Sequence, residues 1–274
     1  EADEPSSATD SDGYFFVEGF AATDARIIAS GGTDTVTNAD LFDVALVADV
    51  PSDTSKVASV TPITTVLAGA ETEEQKNQVL AALGVSSSVE EVLTTDHWVL
   101  AESGDTNAQA IQATNQQIAI VLQTAATIIE SDTSTAQVAA TTVATSVAEQ
   151  VTNLATSTGS VDLSSAKTVT TLLTNAVETA DSAGSTAAEV ISAVATSVAE
   201  VNTLIASDAF DPTSAATATI IRTAQTTLQT SVAEVSAGTT DTASFISSNS
   251  TSTLFANNTA LASQPDFDGD GIAD

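Results

Sequence analysis

The sequence lacks cysteine and methionine altogether. Without cysteine there is no disulfide framework, no thiolate nucleophile and no cysteine-based metal site. Without methionine the chain does not begin at a translational start, so we expect a mature fragment, a processed subunit or an excised repeat. The sequence also has no apolar run of about 20 residues and no basic-apolar signal sequence. We therefore expect an exported, soluble protein with no membrane span.

Basic residues are scarce: five Lys and Arg stand against 36 Asp and Glu, giving a formal net charge of −31. Because binding nucleic-acid phosphates requires Lys and Arg, this composition excludes nucleic acid as a partner and disfavours anionic membrane surfaces. Acidity of this degree suits a calcium-rich or saline medium, in which cations screen the repulsion between carboxylates.

Aromatic residues make up only 4 % of the 274 residues, although 42 % are hydrophobic. A chain of this length and apolar content can bury a core, as one large domain or two small ones. Ala, Thr, Ser and Val dominate, which favours thin elements that approach one another closely. The fold class we predict is α+β, with a small β-sandwich-like domain, an Ala/Thr/Ser-rich helical bundle and a C-terminal strand segment.

Residues 1–60 form the predicted β-domain. The β-branched and aromatic runs lie at 13–20, 25–30, 35–50 and 56–60, and turn sequences such as "DSDG" and "SGGTD" separate them. Four strands are few for a closed sandwich, so the sheet would have exposed edges.

Residues 61–238 form the predicted helical bundle. Thr72 and Gln75 have the spacing of a capping box, with Gly84 ending that helix, and Ser88 and Glu91 repeat the spacing. Longer helical patterns follow at about 105–129, 133–157, 163–182, 186–207 and 211–236. A recurring T-S-V-A-E in three of them indicates either duplicated helices or drift in a low-complexity chain.

Residues 239–274 form the third predicted region, which has no helical stripe over 244–263. Two interpretations remain open for 244–262. Either this segment is a strand added to the β-domain of the next copy, or it is a hairpin folded back on its own sheet.

The segment "DFDGDGIAD" has nine positions of a twelve-position calcium loop. Such a loop places oxygen ligands at alternate positions and a glycine at the sharp turn; here the glycine is Gly271. The predicted ligands are Asp266, Asp268, Asp270, the Ile272 carbonyl and Asp274.

The closing carboxylate of this loop, at position 12, is not within the segment. When a second copy follows, position 12 becomes Asp3, with Glu4 directly after it. We therefore expect copies to follow one another head to tail, covalently or by docking, with a calcium loop at each junction. The alternative is an acidic tail that frays.

A second acidic cluster contains Asp10 and Asp12, in "TDSDGYF". These residues either add ligands for a second calcium ion or form the turn before the strand. The only histidine, His97, lies beside the only tryptophan, and we expect it to cap or pack rather than catalyse. No triad, zinc site or phosphate loop is apparent, so we predict that the protein is not an enzyme.

The run "DGDGIAD" ends the sequence and "TDSDGYFFVEG" lies near its start. Joined tail to head, they resemble the calcium-loop-plus-strand opening of B-type repeats in bacterial surface proteins, which contain carboxypeptidase-regulatory-like β-sandwiches. Here the motif is split between the two ends of the chain, which supports a serial arrangement of copies. The segments "ASGGTDTVTN", "VTPITTVLAG" and "VLAALGVSS" are similar to a region that follows such domains in very large secreted Gram-negative proteins. The resemblance covers about residues 1–130 and 266–274. It implies a surface or matrix protein built from calcium-rigidified repeats, without enzymatic activity.

The function predicted from the sequence is therefore structural: an extracellular, calcium-stabilised bacterial filament whose units join head to tail. The alternative is an adhesin or binding module of a cell-surface protein that recognises a surface or a glycan, with calcium only stiffening its connection to the next domain.

Overall fold

The computed structural model describes residues 5–11, 13–17, 25–32, 44–51, 56–130, 136–179, 188–207 and 228–250, together with 211, 214, 226 and 253. These residues form a mostly helical α+β structure with a small antiparallel sheet. The coarse fold class predicted from the sequence is confirmed. The predicted boundaries at residues 60 and 238 stay predictions.

The sheet pairs strand β1 (Arg26–Ser30) with strand β2 (Ala45–Asp49). Ile28 lies opposite Val47 in the register. On its other side, the Val47 backbone bonds to helix α1 (Pro62–Ala68): its N–H donates to Thr65 Oγ1 (2.9 Å) and its carbonyl accepts from Thr64 Oγ1 (3.1 Å). Two threonine side chains thus occupy backbone groups that a further strand would otherwise use.

The predictions of strands at 13–20 and 56–60 are wrong for the parts of them that the structure describes. Residues 14–17 and 57–60 form no strand, so the described part of the chain contains a two-stranded sheet rather than the predicted sandwich. At 56–60 the backbone bonds to helices instead, since the Ser59 N–H donates to the Leu93 carbonyl (2.8 Å). Their β-branched residues indicate β-propensity, but propensity becomes a strand only where a partner strand is available.

Short capped helices follow α1. Thr72 and Gln75 form the predicted capping box of α2 (Glu73–Ala82), and Gly84 follows its end with φ of 75°. Ser88 accepts from the Glu91 N–H and caps α3 (Val89–Thr94), as predicted. Helix α4 (His97–Glu102) then begins after Asp96.

The centre of the bundle consists of helices α5 (Thr106–Glu130), α6 (Ala136–Thr158), α7 (Ala166–Thr179) and α8 (Ala188–Ile205). The apolar residues that recur at helical intervals are predicted to face inward, and in α5 they are all buried: Ile111, Ile118, Val121, Leu122 and Ile128. The corresponding residues of α8 are Val194, Val198, Val201 and Ile205, which are buried, and Val190, which is half-buried. A single hydrophobic core connects Ala48 of β2 with all four long helices and reaches Phe245. The sheet therefore shares its core with the helices.

The repeated T-S-V-A-E has the same orientation in each copy. Its valine is Val147, Val198 or Val232, and each is at most 1 % exposed. The Thr and Glu of each copy are exposed or half-buried. The motif therefore places the same face toward the core at three positions in the bundle.

The C-terminal described region is helical, in contrast to the predicted strand. Residues 228–236 form helix α9, and Thr242–Ser248 form α10, whose N-cap is Asp241 and whose Phe245 is buried against the core. Both interpretations of 244–262, the donated strand and the hairpin folded back on its own sheet, are therefore wrong for 244–248. Residues 251, 252 and 254–262 lie outside the described residues, as does most of the helix predicted over 211–236.

Candidate calcium site

The predicted calcium ligands lie almost entirely outside the described residues. This applies to the loop residues and to those expected to close the loop or add a second site: Asp266, Asp268, Asp270, Ile272, Asp274, Asp3, Glu4 and Asp12. The head-to-tail calcium site accordingly stays a prediction from the sequence.

Asp10 is the one predicted ligand that the structure describes. Its Oδ1 accepts from the Tyr14 N–H (2.9 Å), and its own N–H donates to the Tyr14 carbonyl (2.9 Å). Its carbonyl accepts from the N–H of Gly13, which has φ of 80°, a conformation that glycine adopts without steric cost. The structure thus shows the turn considered for Asp10, and its role as a ligand of a second calcium ion stays a prediction.

Elsewhere in the described ranges, no three His, Asp or Glu side chains lie close enough together to hold a metal ion. The acidic side chains there have other roles, and several cap helices. Asp96 Oδ1 accepts from the Trp98 and Val99 N–H groups, and Asp105 Oδ1 from the Ala108 N–H. A carboxylate at a helix N-terminus satisfies free N–H groups and complements the helix dipole.

Asp49 is the main ion-pairing carboxylate of the described residues, and the sequence did not single it out. It contacts Lys76 Nζ (2.7 Å) and Arg26 Nε (3.2 Å). Arg26 Nη2 also donates to the Ala68 carbonyl (2.6 Å), at the C-terminus of α1, where a positive charge is favoured. These bonds join β1, β2, α1 and α2, so we interpret the cluster of Asp49, Lys76 and Arg26 as structural.

His97 packs, as predicted: its residue is 6 % exposed, and it stands at the first position of α4. The N-cap of that helix is Asp96, so capping is not the role of His97. Neither ring nitrogen has a hydrogen-bond partner of good geometry. A catalytic histidine would be oriented through one ring nitrogen and act through the other, and no such arrangement is present here.

Comparisons with known proteins give no family for this chain: no protein-family model, curated protein or solved structure matches it. Among the described helices, α8 is long and apolar enough to cross a membrane by length and composition alone. Ten of its residues are buried, however, and it packs against α5, α7 and α10. This burial is that of a core helix.

Proposed function

We propose that this chain is a structural unit of an extracellular bacterial filament, joined head to tail through calcium. One observation carries the proposal: the D-x-D-G-D-G spacing of Asp266 to Gly271, followed by Ile272 and Asp274 at further ligand positions. Asp3 or Glu4 of the following copy supplies the closing carboxylate. A head-to-tail contact is heterologous, and its natural product is a fibre unless the rotation closes a ring.

The charge of the chain supports a cation at the junction. Two units of net charge −31 repel one another, and bringing an acidic tail to an acidic head increases that repulsion. A calcium ion between them neutralises part of it and uses the same carboxylates as ligands. The turn at Asp10 would begin the folded part of the following unit, a few residues beyond the closing carboxylate.

The proposal is tested by electron microscopy and light scattering of the purified protein in millimolar calcium and after chelation. We expect fibres with calcium and their shortening or dissolution without it. Fibres that persist but lose stiffness would indicate units linked by peptide bonds. Monodisperse protein in both conditions would overturn the filament and leave the calcium-rigidified adhesin as the function.

A pair of variants separates a calcium site from general acidity. Asp268→Ala with Asp270→Ala removes two predicted ligands, since Asn at these positions would still offer a carbonyl oxygen to calcium. Glu149→Ala with Glu178→Ala removes the same charge from exposed positions on α6 and α7. We expect the first pair to abolish calcium-dependent fibres and the second to leave them intact. Equal loss in both would show that charge screening alone controls association.

A further inference from the structure

His97 is the only histidine in the chain, and its ring is enclosed at the corner between α3 and α4. The corner is also fixed from residues 56–60: Ser59 Oγ donates to the Thr95 carbonyl (3.0 Å) and Lys56 Nζ contacts Glu90 (2.6 Å). Both ring nitrogens lack a hydrogen-bond partner of good geometry. A neutral ring leaves one donor unsatisfied there, whereas a protonated ring would leave two.

The charged groups around His97 are carboxylates from three elements: Glu91 of α3, Asp96 at the start of α4 and Asp105 at the start of α5. Burial lowers the pKa of His97 from its ordinary value of 6.5 and outweighs these carboxylates and the Glu91 carbonyl, which act in the opposite direction. Lys56 Nζ donates to Glu90 of α3 (2.6 Å).

None of these three carboxylates accepts a hydrogen bond from the His97 ring. Asp96 Oδ1 already accepts two backbone N–H groups of α4, and Asp105 Oδ1 accepts one of α5. Glu91 and Asp96 lie on the exposed side of the corner. A protonated ring therefore either stays desolvated, with the Glu91 carbonyl as its one weak acceptor, or turns outward to reach solvent.

We propose that protonation of His97 opens the corner between α3 and α4. The neutral ring packs and holds the corner closed, whereas the protonated ring leaves its buried position and the corner opens. The direction of the pH dependence follows from the linkage between protonation and opening. The open state binds a proton at the ordinary value of 6.5, and the closed state resists it, so opening is favoured as pH falls through 6.5. Between pH 7.5 and 5.5 the opening equilibrium rises by up to about tenfold.

Hydrogen exchange of the amides in α3 and α4 measures this opening directly. After correction for the intrinsic pH dependence of exchange, we expect protection there to fall several-fold between pH 7.5 and 5.5. Amides in α7, which is distant in the sequence and packs against α5, α6 and α8, serve as the internal control. The chain has no cysteine and one histidine, so few groups other than His97 titrate in this window.

The matched variant is His97→Phe, which keeps an aromatic ring and removes the titration. We expect its α3 and α4 protection to be independent of pH over the same range. The same pH-dependent loss in His97→Phe would overturn the proposal. Should that variant fail to fold, an NMR titration of the His97 ring in the unmodified chain decides: a ring that titrates above 6.5 shows that the carboxylates outweigh burial, and the release does not exist.

Discussion

Gly69 ends α1 where that helix packs closely against α6. Its φ of −77° and ψ of −11° are ordinary for any residue, so the position does not require glycine for its backbone. Space is the reason for glycine. A Cβ at this position would lie 2.6 Å from Ala148 Cβ, 2.7 Å from the Ala148 carbonyl carbon and 3.0 Å from the Glu149 nitrogen, where carbon atoms normally stand about 3.5–4.0 Å apart.

Gly69→Ala therefore tests the packing of α1 on α6. At an open site the substitution would stabilise the fold by about 0.4–1 kcal/mol through the unfolded chain, whereas overpacking a tight contact costs about 1–3 kcal/mol. Two of the three contacts are with backbone atoms that cannot rotate away. We expect a net loss of about 1–2 kcal/mol, seen as a lower urea midpoint with unchanged m-value by circular dichroism.

Adding Ala148→Gly to Gly69→Ala distinguishes side-chain from backbone conflict. It removes the Cβ at 2.6 Å but leaves the carbonyl carbon at 2.7 Å, so we expect partial rescue at most. A Gly69→Ala variant as stable as the original chain, or more stable, would refute the close approach of these helices.

Two further substitutions test buried and exposed hydrogen bonds. Asn115→Ala leaves the buried Ile63 N–H without its acceptor at 3.0 Å, so we expect the free energy of unfolding in urea to fall by about 1–3 kcal/mol. The control is the exposed Asn77→Ala, for which we expect a fall of under about 0.5 kcal/mol. Equal losses in the two variants would contradict this reasoning. Asp241→Ala should raise hydrogen exchange selectively in α10, whose N-terminus it caps. Hydrogen bonds from Ser244 lower the pKa of Asp241 from 3.8, so its contribution is present above that value and lost as pH falls through the lowered pKa; α10 protection that does not change on substitution would contradict the capping role.

Local signals explain how much of the helical structure could be predicted. The capping box of Thr72 and Gln75, the cap at Ser88 and the buried faces of α5 and α8 each depend on residues three or four apart, which the sequence displays directly. The same kind of signal was available for α10, since Asp241 precedes it as an N-cap. It was missed because the Ser- and Asn-rich sequence around it lacks an apolar stripe.

Contacts between distant residues account for what the sequence does not reveal. Asn115 and Ile63 are 52 positions apart, and nothing near either residue indicates their hydrogen bond. The glycine requirement at Gly69 arises from Ala148, on another helix. Threonines of α1 likewise bond to the edge of β2, and the Ser59 N–H bonds to the Leu93 carbonyl of α3 rather than to a strand. For the candidate site, the calcium loop is a local pattern that the sequence displays directly. Its proposed closure by the next copy is a contact between distant residues, which a local pattern does not reveal.

The distribution of charge separates the stability of the described fold from the proposed role of calcium. No Asp or Glu whose burial the structure describes is buried, and those discussed above cap helices, pair with Lys or Arg, or face outward. We therefore expect the stability of the described core to respond to calcium only through general screening. Chelation should dissolve fibres while leaving the helical circular dichroism unchanged. Simultaneous loss of fibres and helical signal would place calcium within the fold and contradict a site confined to the junction.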